Sequence, residues 1–156
     1  MDTHYYNVNI EWNKDRKGVM CSPELKQENE ESKPCIEVAT PPEFPKGIPF
    51  IWSPEHLFTA AISSCLMTTF LAIAENSGLH FISFACKSKG KLEKVDGKML
   101  MTEVLLIPTV VITDENQKEK AERVLMKSEE ACLISNSVKS KIIMQPNILV
   151  REPIAL

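Results

Sequence analysis

"WSPEHLFTAAISSCLMTTFLAIA", Trp52 to Ala74, carries a single cysteine, Cys65, among hydroxyls and small side chains. Ser53, Pro54 and Glu55 mark a helix start: a hydroxyl able to cap, proline where its missing N–H costs least, then an acid favoured by the dipole. Asn76, Ser77 and Gly78 end the run. At about 100° per residue, Cys65 shares a face with Ala61, Ile62, Thr68, Thr69 and Ala72. That face is mostly small, so another element can approach the sulfur closely. A buried free cysteine is often only a small hydrophobe, and this reading stands beside any chemical one. Phe58 to Ala74 spans 17 residues with hydroxyls at Thr59, Ser63, Ser64, Thr68 and Thr69, which favours a core helix over a membrane span.

Outward from this helix the pattern changes to strands. On the N-terminal side, Tyr6, Val8, Ile10 and Trp12 alternate with more polar neighbours, the period of a half-buried strand. "NKDRKG" is a polar turn with Arg16 at the tip of a hairpin, and "CIEVAT", Cys35 to Thr40, is a third short strand. The acidic stretch Glu24 to Glu31 reads as a solvated loop or hairpin tip. "PPEFPKGIPF" excludes regular helix and forms an extended connection. On the C-terminal side, Asp96-Gly97 joins two long antiparallel strands. Pro108 in the second implies a bulge, an edge or an early break. Asp114 and Gln117 suit a capping box for an amphipathic helix with Ala121, Val124, Leu125 and Ser128 inward, ending near Ala131. "SKIIMQPNILV" closes as strand, interrupted at Pro146. One domain, 1–156, is expected, with no internal repeat.

The 156 residues, 44% hydrophobic and 25% charged, suffice for a core without staples. A net charge of -3 offers no concentrated basic surface, so neither nucleic acid nor membrane is an expected partner. The five cysteines are Cys21, Cys35, Cys65, Cys86 and Cys132, widely spread and without a CxxC pair. That argues against a disulfide framework and a structural zinc site, leaves Cys21, Cys35 and Cys86 as structural residues, and fits a cytoplasmic protein. His4, His56 and His80 lack metal-ligand spacing, and no metal or cofactor is expected.

Three stretches make the pattern specific. "SPEHLFTAAISSC" resembles the helix of the OsmC/Ohr family (osmotically inducible protein C and organic hydroperoxide resistance proteins), in which a reactive cysteine lies ten residues after a Pro-Glu start; Glu55 and Cys65 keep that spacing. "EACLISNSVKS" resembles the family's second-cysteine segment, with Cys132, Ile134, Ser135 and Asn136 matching and Leu133 standing where many members carry proline. "EWNKDRKG" resembles the hairpin turn that brings an arginine to the site, with Arg16 at the matching position, although Lys14, Asp15 and Lys17 replace a glycine-richer surround. The resemblance implies an α+β fold, antiparallel sheets wrapped around a buried central helix, in an intertwined homodimer.

It also implies a thiol peroxidase. Cys65 attacks an organic hydroperoxide as thiolate, and Cys132 condenses with the resulting sulfenic acid. An external dithiol, dihydrolipoamide bound to protein in the best-known branch, then reduces the disulfide. Arg16 supplies the cation that burial makes necessary, and Glu55 holds its guanidinium. On one straight helix Glu55 lies about 15 Å along the axis from Cys65. Either the helix bends after "PEHLF", or Arg16 and Glu55 serve the cysteine of a second chain. Phe44, Phe50, Ile51 and Phe58 are the expected apolar substrate pocket. The alternative is a non-catalytic dimer of the same fold that binds a small apolar ligand or a partner while its thiols stay quiet.

Overall fold

The Ser53-Pro54-Glu55 start and the Gly78 stop delimit the helix as their chemistry predicts. In the computed structural model, which describes residues 3–25 and 34–151, α1 runs over Pro54–Ser77. Ser53 Oγ accepts from the His56 backbone N–H at 3.3 Å, and His56 Nδ1 accepts from the Ser53 N–H at 3.3 Å. A histidine thus fills the place that Glu or Gln takes in a reciprocal cap. At the other end Gly78 has φ 63, and the amides of Gly78 and Leu79 return to the carbonyls of Glu75 and Ala74. With 24 residues and a mean hydropathy of 1.9 over its most apolar window, α1 passes a length-and-composition test for a membrane span, so the argument from a run of 17 residues does not hold. Packing places it instead: Ile62, Leu66, Phe70 and Ala74, one residue in four, are fully buried. The opposite side, including Met67 and Leu71, is exposed, so within one chain the helix is buried on one side only.

Residues 1–57 and 58–156 form two compact units. The first holds an antiparallel sheet, β1 (Asn9–Lys14), β2 (Lys17–Cys21) and β3 (Cys35–Ala39), in the order β1-β2-β3. Asp15 and Arg16 form the β1–β2 tip, with Asp15 at φ 49, a left-handed conformation that Asp tolerates. The half-burial expected for the first strand is not found: Tyr6, Val8, Ile10 and Trp12 are all exposed, because the strand is the outer member of its sheet and no described residue covers it. A second correction concerns the cysteines. Cys21 and Cys35 lie directly opposite each other in the β2–β3 register and form a disulfide with Cα atoms 4.4 Å apart. Strand pairing, which cysteine spacing does not reveal, brings them together. Pro23–Leu25 form a 3-10 turn, and residues 26–31 of the acidic stretch lie outside the described residues. The proline-rich connection holds no helix, as expected, but it is a run of turns and not extended: the Phe44 N–H donates to the Pro41 carbonyl at 3.1 Å and the Gly47 N–H to the Phe44 carbonyl at 2.9 Å, and a Cβ on Gly47 would run into the Pro41 carbonyl.

The second unit is built on β4 (Ser83–Val95) and β5 (Lys98–Ile112), joined by Asp96 at φ 47 and Gly97 at φ 80. Both positive angles match the turn that twists with its strands. The other pairings depart from a purely antiparallel sheet: β6 (Lys141–Met144) and β7 (Asn147–Val150) both pair with β5 in parallel. Pro108 neither breaks nor edges its strand. Its nitrogen lies on the side where Leu106 and Ile112 accept from Gln145 and Arg151, at the seam where Pro146 separates β6 from β7, so no ladder bond is lost. The buried row of α1 packs with Val104, Leu106, Val110 and Ile112 of β5. Helix α2 (Lys118–Ala131) adds Ala121, Val124, Leu125 and Ser128, the stripe read from sequence. Its expected capping box does not form, because Asp114 instead caps the 3-10 turn Glu115–Gln117 and the helix begins one residue later.

Candidate functional site

Cys65 lies in the middle of α1, and Cys132 caps the C-terminus of α2. The second unit brings them close enough for each to shift the other's ionisation. Cys132 is fully buried and Cys65 half-buried. Burial opposes ionisation of Cys65, yet its pKa is lowered overall: the Cys132 thiol, the Ile134 amide, the Thr69 hydroxyl and the Leu133 amide all donate toward its sulfur. Thr69 Oγ1 stands 4.0 Å from that sulfur, one turn along the helix. Cys132 shifts upward, first through burial and then through contact with Cys65, while the hydroxyl and amide of Ser135 partly offset this. The pair is therefore asymmetric, one sulfur favoured as thiolate and its neighbour held as thiol.

The loop that delivers these donors is closely bonded. At Cys132 the chain leaves the helix with φ -65 and ψ 108. Asn136 N–H donates to the Cys132 carbonyl at 3.0 Å, its side-chain amide donates to the Glu130 carbonyl at 2.9 Å, and Ser137 Oγ donates to the Leu133 carbonyl at 2.7 Å. The Ser135-Asn136 signature thus folds a turn over the sulfur. Ser135 Oγ is itself buried without a conventional hydrogen-bond partner among the described residues, and faces the Cys132 thiol.

Arg16 and Glu55 belong to the first unit, where both line an open cavity of about 870 Å³ with Ile10, Trp12, Val38 and Phe44. The tip that carries Arg16 is fixed by the Thr40 N–H on the Arg16 carbonyl at 3.0 Å and by Trp12 Nε1–H on the Asp15 carbonyl at 3.1 Å. Helix α1 continues without interruption past "PEHLF". The four expected pocket residues are spread over three places. Phe44 lines the Arg16 cavity, Phe50 and Ile51 line a second one with Trp52 and His56, and Phe58 packs into the core around Ile62 and Leu66. Phe58 is thus a core residue, because its position one turn before Ile62 points it to the same side. Among the described residues, no three His, Cys, Asp or Glu side chains come together as metal ligands.

Sequence reasoning overlooked the amides of Leu133 and Ile134, for which no side-chain signal exists. It placed Thr69 on the Cys65 face without a role; the spacing of four was the signal that pointed to contact.

Residues 47–147 match the family described as OsmC-like protein. An uncharacterised protein of Bacillus subtilis, YmaD, is 23% identical over 96 residues, 60% of this chain, and the match spans 64% of the length of that relative. An OsmC-like protein of unknown function from Vibrio cholerae superposes with a TM-score of 0.79 at 24% identity, covering 92% of this chain and 99% of that one. The organic hydroperoxide resistance protein OhrB of Bacillus subtilis does so with a TM-score of 0.64 at 16% identity, over 93% and 98% of the two chains. At these identities the structural likenesses establish a shared fold. With 47–147 covering well over half of its length, the chain belongs to the OsmC-like protein family.

Proposed function

We propose that the protein is a cysteine peroxidase that reduces organic hydroperoxides to alcohols. The observation that carries this reading is the asymmetric contact of Cys65 with Cys132. Cys65 thiolate attacks the terminal peroxide oxygen; the O–O bond breaks, the alkoxide takes a proton to leave as alcohol, and Cys65 becomes sulfenic acid. The Cys132 thiol attacks that sulfur, forming the disulfide and releasing water. An external dithiol then returns both sulfurs to thiols and is itself oxidised, with a lipoylated protein as one source of suitable chemistry.

Arg16 and Glu55, on an apolar cavity, suit binding of a peroxide with a hydrocarbon tail. Because α1 is unbroken, we assign them to the Cys65 of a second chain in a homodimer. The test is intact mass after one equivalent of cumene hydroperoxide. A loss of two hydrogens that disappears in Cys65→Ser and in Cys132→Ser supports the peroxidase; an unchanged mass overturns it in favour of a ligand- or partner-binding dimer. The two variants are needed because any molecules in which the Cys21–Cys35 disulfide has been reduced would also lose two hydrogens.

A further inference from the structure

Cys21 and Cys35 form the last rung of the β2–β3 ladder, directly opposite each other and bridged. That rung has no buried neighbour in either strand: Met20 and Cys21 are half-buried, Cys35, Ile36 and Glu37 are exposed, and burial in β3 begins at Val38 and Ala39. An attacking thiolate can therefore reach the bridge, and access is one of the quantities that set the rate of exchange. The far end of the ladder is held separately, by the Ala39 N–H on the Trp52 carbonyl at 2.9 Å and the Thr40 N–H on the Arg16 carbonyl at 3.0 Å. Opening the bridge frees the exposed half of β3 and leaves the buried half in place, so the two sulfurs stay near each other and can close again.

A charge is tied to that exposed half. Side chains alternate across a sheet, so Cys35 and Glu37 share a face with Cys21, Val19 and Lys17. There the Lys17 ammonium meets the Glu37 carboxylate at 2.6 Å, with the Lys17 side chain 18% exposed and that of Glu37 53% exposed. Lys17 lines the cavity of about 870 Å³ beside Asp15, Arg16 and Glu55, whereas Glu37 lies outside that lining. Glu37 thus neutralises the cavity's lysine from without, and it is held there by the strand segment that the bridge fastens.

We propose that Cys21–Cys35 is a second redox site, open to dithiols, that sets the charge of the Arg16 cavity. A dithiol thiolate attacks the Cys35 sulfur, the bridge breaks, and Cys21 leaves as thiolate and takes a proton. The second sulfur of the dithiol attacks the mixed disulfide and releases Cys35, so the protein gains two electrons and two protons and the dithiol closes as its own disulfide. The Cys35–Glu37 segment then leaves β2, Glu37 leaves Lys17, and a mostly buried ammonium lines the cavity without its counter-ion. Such a charge in a concave wall attracts an anion. Reduction therefore shifts the preference of the cavity toward anionic ligands. The device lies wholly within residues 1–57 and needs no peroxide chemistry at Cys65.

The experiment uses the full chain carrying Cys65→Ser and Cys132→Ser, so that the other thiol pair does not respond. It is equilibrated with reduced or oxidised dithiothreitol and titrated calorimetrically with octanesulfonate and with neutral 1-octanol, while differential alkylation reads the state of the bridge. The bridge is expected to open in the folded protein, octanesulfonate to bind roughly ten-fold tighter after reduction, and octanol to bind equally in both states. Adding Cys21→Ala and Cys35→Ala is expected to reproduce the reduced form without dithiothreitol. Glu37→Gln, which leaves the bridge in place, is expected to bind octanesulfonate as tightly as the reduced form whether or not dithiothreitol is present. A bridge that resists excess dithiothreitol, reduction that unfolds residues 1–57, an octanesulfonate affinity that ignores reduction, or a Glu37→Gln variant with the affinity of the bridged parent overturns the inference.

Discussion

Cys132, at the C-cap of α2, lies close enough to Cys65 on α1 for each to shift the other's ionisation. The contact lowers one pKa and raises the other. Cys65 is therefore expected to alkylate first, with a rate that rises through a midpoint below the ordinary thiol value and falls away as pH drops below it, while Cys132 reacts only at higher pH. Peptide-resolved alkylation across pH checks this. Equal midpoints for the two would contradict the asymmetry.

Removing Cys132 separates attack from resolution. Cys132→Ser is expected to retain one turnover with cumene hydroperoxide and then accumulate sulfinic acid at Cys65, because no second sulfur traps the sulfenic acid. Mass spectrometry of the Cys65 peptide after excess peroxide reads the result. A variant that cycles normally with dithiol would remove Cys132 from the mechanism.

The assignment of Arg16 to a second chain makes a sharper prediction. Arg16→Ala is expected to lose about a hundred-fold in kcat/KM, and Arg16→Lys to recover only part, since an ammonium cannot offer the planar fork. Chains carrying Arg16→Ala, unfolded and refolded together with chains carrying Cys65→Ser, are expected to regain activity that neither has alone. If the mixture stays inactive while each variant is folded and dimeric, the two residues do not act across chains.

The Cys21–Cys35 disulfide closes a separation of 14 residues, for which chain entropy gives about 3 kcal/mol of stabilisation. Replacing both cysteines with alanine is expected to lower the stability of residues 1–57 by that order, seen as earlier hydrogen exchange in β2 and β3. Peroxide-driven oxidation of Cys65 in the same variant is expected to continue, which separates the two cysteine pairs.

Phe70 is fully buried between Phe81 and Phe84, with ring centroids 5.1 and 4.9 Å away. Phe70→Ala is expected to cost about 3–5 kcal/mol, measured as a drop in the denaturant midpoint. Ser53→Ala, which removes the hydroxyl that accepts from His56, is expected to cost about 1 kcal/mol.

Local chemistry made most elements legible. Ser53-Pro54, Gly78, Asp96-Gly97 and the stripe Ala121, Val124, Leu125 and Ser128 each act through neighbours close in sequence, and each lies where its pattern placed it. What sequence did not carry was pairing between distant segments. The Cys21–Cys35 bridge follows from the β2–β3 register, and the parallel course of β6 and β7 follows from how the chain returns to β5. The two cysteines of the candidate site were readable only through motif resemblance, since a thiol on a helix looks alike whether inert or reactive. The amides of Leu133 and Ile134 were invisible for a simpler reason: every residue but proline has one, and only the fold says where it points.

The segment after Cys132 is short and fastened at both ends, by α2 before it and by β6 after it, where Ser140 Oγ also donates to the Met101 carbonyl. Such a strap has little slack. A disulfide between Cys65 and Cys132 would tie this strap to α1 as well, adding a third fastening to the segment between α2 and β6.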